Sequence, residues 1–261
     1  MTKLLKPILL YGCEIWGFSC LSLIERLHLK FCKHILNLSN STPNFMVYGE
    51  LGRYPLSINV KVRMIMFWAK MLYSNKLSNC TYVLLHKQKS PWMNCVKNIL
   101  DECGLSYVWQ SQSFNNLTWL KHNVFTTLLN QFTQSWRSDV SSSPKGINYR
   151  IFKEDLKLEN YLLKLPSKKY KLLCRFRCCN FKLPIETGRW EHIPRSERKC
   201  NLCDLHDIGD EFHYMFKCKD NVISHTRQIC LPRMYLTNPN IYKFGYLFNN
   251  SYVHVLNKIC I

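Results

Sequence analysis

No run of about 18 apolar residues occurs in the chain, so the sequence offers no membrane-spanning helix and no membrane partner. A secretory leader is also missing. Lys3 and Lys6 flank a short apolar stretch, but Pro7 interrupts it and no small-residue cleavage site follows. Acidic residues are scarce, with 17 Asp and Glu against 36 Lys and Arg, for a net charge of +19. No two Asp are adjacent. Nucleotidyl transfer and nuclease chemistry hold two hard cations with clustered carboxylates, so neither activity is expected, and no small-molecule substrate is implied. No internal repeat is visible. The positive excess says little about fold, but it favours an acidic partner, most simply nucleic acid. A solvated basic surface is the bland alternative.

Hydrophobic residues make up 47% of the 261, enough for one large or two small folded domains. The 14 cysteines, without a leader, point to a reducing intracellular compartment, nuclear or cytoplasmic, rather than to secretion. Their most specific arrangement is CNLCDLHDIGDEFHYMFKC, which reads Cys200-x2-Cys203-x9-His213-x4-Cys218. Two thiols from a tight turn, followed by a His and a Cys from a short helix or turn, form a tetrahedral donor set. That pattern suits one structural zinc with no position open for catalytic water. His206, His225 and Cys230 lie near enough to substitute for a ligand, although His206 reads better as a polar loop residue. Asp210 and Glu211 read as groups that shape the turn or orient ligands from behind. The other eleven cysteines read as small core residues.

Along the chain, the apolar run Pro7–Gly12 predicts a helix end or a strand. Ser22-x-x-Glu25 predicts a capping box opening a helix with Ile24, Leu27, Phe31 and Ile35 on its core face. Lys30, Lys33 and His34 are expected on its outer face. Ser57–Ser74 predicts a helix with Ile58, Val62, Ile65, Ala69 and Leu72 inward. Ser90-Pro91 predicts a helix start and Gly104 its stop, with Trp92, Val96, Ile99 and Leu100 inward. Leu117–Trp136 predicts a further long helix, and its aromatics read as core. Ser141–Gly146 is the best linker, followed by a helical stretch Tyr149–Leu165. A helix over Val222–Leu231 should stop at Pro232, and a short apolar tail ends the chain.

From Lys164 to Lys199 the chain carries eleven Lys or Arg and three Glu, or +8, with Phe176, Phe181 and Trp190 interleaved. Cations bind phosphates and aromatics stack on unpaired bases, so this tract predicts an RNA- or DNA-binding surface. The candidate contacts are Lys168, Lys169, Lys171, Arg175, Arg177, Lys182, Arg189, Trp190, Arg195 and Arg198. Leu172, Leu173, Phe176 and Cys179 are expected to pack inward on the opposite face.

Several segments, LLYGCEIWG, LHLKFCKHILNL, STPNFMVYGELGRYPL and FRCCNFKLPIETGRW…IPRSERKCNLCDLHDIGDEFHYMFKC, together resemble the C-terminal third of non-LTR (LINE-type) retrotransposon reverse transcriptases. The resemblance runs along nearly the whole chain, from the thumb that follows the polymerase palm to a CCHC zinc knuckle. It implies a part of the element's endonuclease–reverse transcriptase that grips template RNA or target DNA. Cys200, Cys203, His213 and Cys218 would be its zinc ligands. The Tyr/Phe-x-Asp-Asp motif of the family's polymerases is not found, and no endonuclease motif precedes or follows. The expected protein is therefore a non-enzymatic fragment of such an element. It should be mainly α-helical, with residues 1–56 thumb-like, 57–140 a helical connector and 141–199 a linker plus basic binding segment. Residues 200–218 would form the zinc knuckle and 219–261 a helical tail. The alternatives are a zinc-stabilised protein-interaction scaffold and a non-functional relic of a retroelement.

Overall fold

The computed structural model describes residues 2–73 and 90–249. Ser74, the expected end of one helix, and the apolar tail beyond 249 lie outside the described residues. Among the described residues the protein is mainly α-helical and forms no strand. A single isolated bridge pairs Lys199 with Ile208. No described helix is long and apolar enough to cross a membrane. The chain divides into two compact units, Met1–Leu29 with Tyr54–Ser135, and Lys30–Arg53 with Trp136–Ile261.

In the first unit the centre is the helix Leu56–Tyr73. Ile58, Val62, Ile65 and Ala69 are buried as their spacing predicts, and Leu72 is half-buried. Val60, Met64 and Trp68 are buried as well, so this helix is covered on most sides. Helix Pro91–Glu102 packs on it through Trp92, Val96, Ile99 and Leu100. Its start is fixed as expected: the Ser90 hydroxyl accepts a bond from the Met93 N–H, and Pro91 occupies the first turn. Gly104, at φ +71°, follows its end. Trp68 stacks on Trp109, and the Trp92 indole donates to the Glu14 carbonyl. The N-terminal apolar run ends a helix, Thr2–Leu9, rather than starting a strand.

Helix Leu21–Leu36 corrects two expectations. Ser22 lies inside it and does not cap it. Glu25 instead accepts from the Ser57 backbone N–H and meets His28 Nδ1 at 2.9 Å. The buried positions are Ile24, His28, Leu29, Cys32, Lys33 and Leu36, while Leu27 is exposed and Phe31 and Ile35 are half-covered. The buried face is thus rotated by one residue from the apolar pattern. The rotation is tolerable because the stem of Lys33 packs inward while its ammonium donates to the Asn40 carbonyl at 2.9 Å.

The second unit gathers aromatic residues around a buried ion cluster. Phe152, Phe176, Phe244 and Phe248 form one ring-on-ring group, which Phe212 and Phe216 join through Phe244. Trp136 is buried, and its indole donates to the Phe45 carbonyl at 2.8 Å. The helix that begins at Leu117 runs on to Ser142, so the Ser-rich linker starts later than the sequence suggests. Ser141 and Ser142 hydroxyls donate to the Ser138 carbonyl, which lets serine sit in a final helical turn. The expected helix Tyr149–Leu165 is two single turns, Tyr149–Phe152 and Tyr161–Lys164. Between them Lys153 and Glu159 are drawn into the interior, where they pair with each other. Helix Asn221–Cys230 is capped by Asp220, and Pro232 precedes the turn Arg233–Leu236.

Candidate metal centre and nucleic-acid interface

Cys200, Cys203, His213 and Cys218 converge, with one donor atom from each lying within 4.8 Å of the others. Cys200 Sγ and Cys218 Sγ are 3.9 Å apart, and Cys203 Sγ and His213 Nε2 are 3.4 Å apart. A tetrahedral ion with bonds of about 2.3 Å to sulfur and 2.0–2.1 Å to nitrogen sets such pairs roughly 3.8 and 3.6 Å apart. The donor set therefore fits one four-coordinate metal ion with no open position. Cys200, Cys203 and Cys218 are free thiols that take part in no disulfide.

The local backbone explains the convergence. Cys200 N–H donates to the Asp207 carbonyl, and Gly209 N–H to the Arg198 carbonyl, pinching the chain into a narrow loop. Leu202 N–H points at Cys200 Sγ at 3.4 Å, the kind of N–H···S contact that a thiolate strengthens. Asp210 caps the wide helical turn His213–Lys217 by accepting from the His213 N–H at 3.0 Å, which confirms its turn-shaping role. At the far end Arg227 donates to the Cys218 carbonyl at 2.8 Å, so helix Asn221–Cys230 braces the last ligand. Burial lowers the His213 pKa and favours the neutral imidazole that binds metal. The Lys219 backbone N–H holds the Cys203 thiol below its usual range, whereas burial pushes Cys218 up to about 11. A bound cation removes the proton from such a thiol outright. His213 Nδ1 is buried without a hydrogen-bond partner, and the Asp207 carboxylate stands 3.8 Å from it. Asp207 is the group placed to receive that N–H and orient the ring. His206 takes a left-handed backbone at the loop tip and does not join the cluster, and neither do His225 and Cys230.

The basic tract separates into three groups. Arg175, Lys182 and Trp190 line a common open groove of about 550 Å³, together with Phe181 and Lys145. Trp190 is 57% exposed, and the Arg175 guanidinium lies 4.6 Å over the Phe181 ring. A second group has its charge engaged within the fold. Arg189 pairs with Glu186 at 3.1 Å and Arg195 with Asp210 at 3.6 Å. Arg198 donates to the carbonyls of Ile193 and Ile185. Lys168 is exposed on helix Ser167–Arg177, where Lys169 and Lys171 are half-covered; these three stand apart from the groove lining.

Arg177 requires a correction. Predicted as a phosphate contact, it is wholly buried. Its Nε and Nη2 donate to Glu50, Nη2 also meets Glu159 Oε2 at 3.1 Å, and Nη1 donates to the Phe248 carbonyl. Burial opposes its charge, but Glu50 and Glu159 outweigh burial and hold the guanidinium's pKa above its ordinary value. Every third or fourth residue of a helix shares a face. Arg177 follows Leu173 and Cys174 inward, while Leu172, expected inside, is exposed.

Sequence reading missed Lys145, Asn37, Leu38, Ser39 and Ser41, which line the groove together with Cys179, Asn180 and Glu186. Lys145 stands in the Ser-Pro-Lys-Gly turn, and nothing local links that turn to residues more than thirty positions away. Comparison with protein-family models, curated proteins and solved structures finds no match.

Proposed function

We propose that this chain is a zinc-stabilised module that binds single-stranded nucleic acid, with no catalysis of its own, and that it is a C-terminal part of a LINE-type reverse transcriptase. One observation supports this reading above the others. The helix Pro184–Trp190, which ends in the exposed Trp190, is tied to the metal loop. Ile185 N–H donates to the Gly209 carbonyl, and Arg198, two residues before the first ligand, donates to the Ile185 carbonyl. Gly188 sits against the Arg198 side chain so closely that a Cβ there would fall 2.7 Å from its Cγ. Metal thus sets the loop, the loop sets the helix, and the helix sets an aromatic ring beside a cluster of cations.

Zinc suits the donor set, since three thiolates and an imidazole are its preferred structural ligands. The cations contribute sequence-independent affinity by releasing counterions, and the aromatics contribute stacking on bases. The acids offer little for two-metal chemistry. Glu50 and Glu159 are consumed by Arg177, Glu211 is bonded to Asn148, and Asp210 caps a turn. Binding of a fluorescent single-stranded RNA, with and without zinc, tests the reading. Saturable binding that weakens on chelation supports it. Equal affinity of an acidic polypeptide competitor would favour a protein-interaction scaffold instead.

A further inference from the structure

We infer that the groove between Trp190 and the Asn37–Ser41 stretch is a pocket for one unpaired nucleotide of the bound strand. This rests on the nucleic-acid reading above and sharpens it from a basic surface to a built site. The groove lies within one compact unit, so its lining comes from a single folded body. Its volume of about 550 Å³ falls within the roughly 300–1,000 Å³ of sites that take small organic ligands.

The lining matches the three parts of a nucleotide. Phe181 and Trp190 bring aromatic rings to the lining, and the Arg175 guanidinium lies over the Phe181 ring, so a planar base can extend an existing aromatic–guanidinium pair. Lys145 is paired with the one lining carboxylate, Glu186, which leaves Arg175 and Lys182 as a net positive lining suited to phosphate. Glu186 is itself held by Lys145 at 3.3 Å and by Arg189 at 3.1 Å, so its charge is answered within the protein. Asn37 and Asn180 add amide-bearing side chains to the lining, which both donate and accept as the edge of a base requires, while the Ser39 hydroxyl is engaged with Ser41 at 2.8 Å. The groove is open, which admits the sugar–phosphate chain on either side of the seated residue. A duplex keeps its bases stacked and paired, so only an unpaired or extruded nucleotide fits.

The test uses the full zinc-loaded chain and three ribose–phosphate octamers: fully abasic, abasic with a single central uracil, and all uracil. Affinities are read by anisotropy at one salt concentration. A one-nucleotide pocket predicts that the single-base strand binds about tenfold tighter than the abasic strand, and that the all-uracil strand gains no more than about eightfold further, the statistical factor for eight equivalent bases. Trp190→Ala removes a wall, and Ser41→Trp fills the groove from an exposed lining position. Each should erase the tenfold step, with zinc content and melting temperature held at the wild-type values as the check that the fold survives. Equal binding of all three strands by wild type would overturn the pocket while leaving the electrostatic reading intact. Affinity of the all-uracil strand that climbs beyond that statistical factor would replace the pocket by an extended stacking surface. No binding of any strand would overturn the proposed function itself.

Discussion

Removing the guanidinium of Arg177 is the sharpest perturbation of the fold that carries the site. Its side chain is fully buried, with Glu50 Oε1 and Oε2 at 3.0–3.2 Å and Glu159 Oε2 at 3.1 Å. Its flat face lies 4.5 Å from the Phe152 ring centre. Glu50 also accepts from the Tyr161 hydroxyl, and Lys153 pairs with Glu159, so the cluster spans four chain segments. Arg177→Met keeps much of the volume but strands the Glu50 carboxylate and the Phe248 carbonyl away from water. Breaking one partner out of such a buried pair costs about 3–5 kcal/mol, a large share of the 5–15 kcal/mol typical of a folded protein. At roughly 2–4 °C per kcal/mol for a body of this size, thermal unfolding followed by circular dichroism should shift down by about 6–20 °C. Arg177→Lys keeps the charge but lacks the planar fork that engages both oxygens, so its shift should be smaller but clear. Adding Glu50→Gln to Arg177→Met removes the stranded charge, so the double variant should lose about 1–3 kcal/mol less than the sum of the singles. A shift under about 2 °C for Arg177→Met, or strict additivity in the double variant, would refute this reasoning.

Cys203→Ser should abolish zinc binding, because structural sites of this type carry about 10–16 kcal/mol of coupled folding energy; elemental analysis should show about one zinc per wild-type chain and none in the variant. Changing Arg175 and Lys182 to Glu should reduce the salt slope of RNA binding by at least roughly 0.7 per lost phosphate contact, read by anisotropy across a salt series. Gly52→Ala should destabilise strongly. At φ +56° it is strained, and its Cβ would fall 2.1 Å from the Leu158 nitrogen, so lowered melting or failed expression is expected. Primer extension on an RNA template with magnesium or manganese should give no product. Extension that survives purification and disappears in Asp210→Ala/Glu211→Ala would contradict the non-catalytic reading.

The convergence of Cys200, Cys203, His213 and Cys218 was legible because Cys-x2-Cys and the following His and Cys act within one short loop, where spacing dictates geometry. Helix Pro91–Glu102 was legible for the same reason, since its cap and its four inward residues are local features. The groove was not. Lys145, Asn37 and Ser39 reach Trp190 only through tertiary packing, and no periodicity encodes that. The basic tract misled at Arg177 because a sequence shows charge but not the carboxylates, Glu50 and Glu159, that a distant segment and a preceding turn bring to it. Helix Leu21–Leu36 misled similarly. Its inward face includes His28 and Lys33, whose polar ends find Glu25 and the Asn40 carbonyl, so hydrophobic counting placed the face one residue away. Tyr149–Leu165 had helical composition, yet the Lys153–Glu159 pair drew its middle out of the helix.

The most direct measurement is the affinity of the purified, zinc-loaded chain for a single-stranded RNA across a salt series, repeated after zinc is removed by chelation. With three to five phosphates engaged, the log–log slope should lie between about −2 and −3.5, and chelation should weaken binding about tenfold or more at every salt concentration. Affinity that ignores salt, or that is the same with and without zinc, would contradict the proposal that the metal loop builds the nucleic-acid surface.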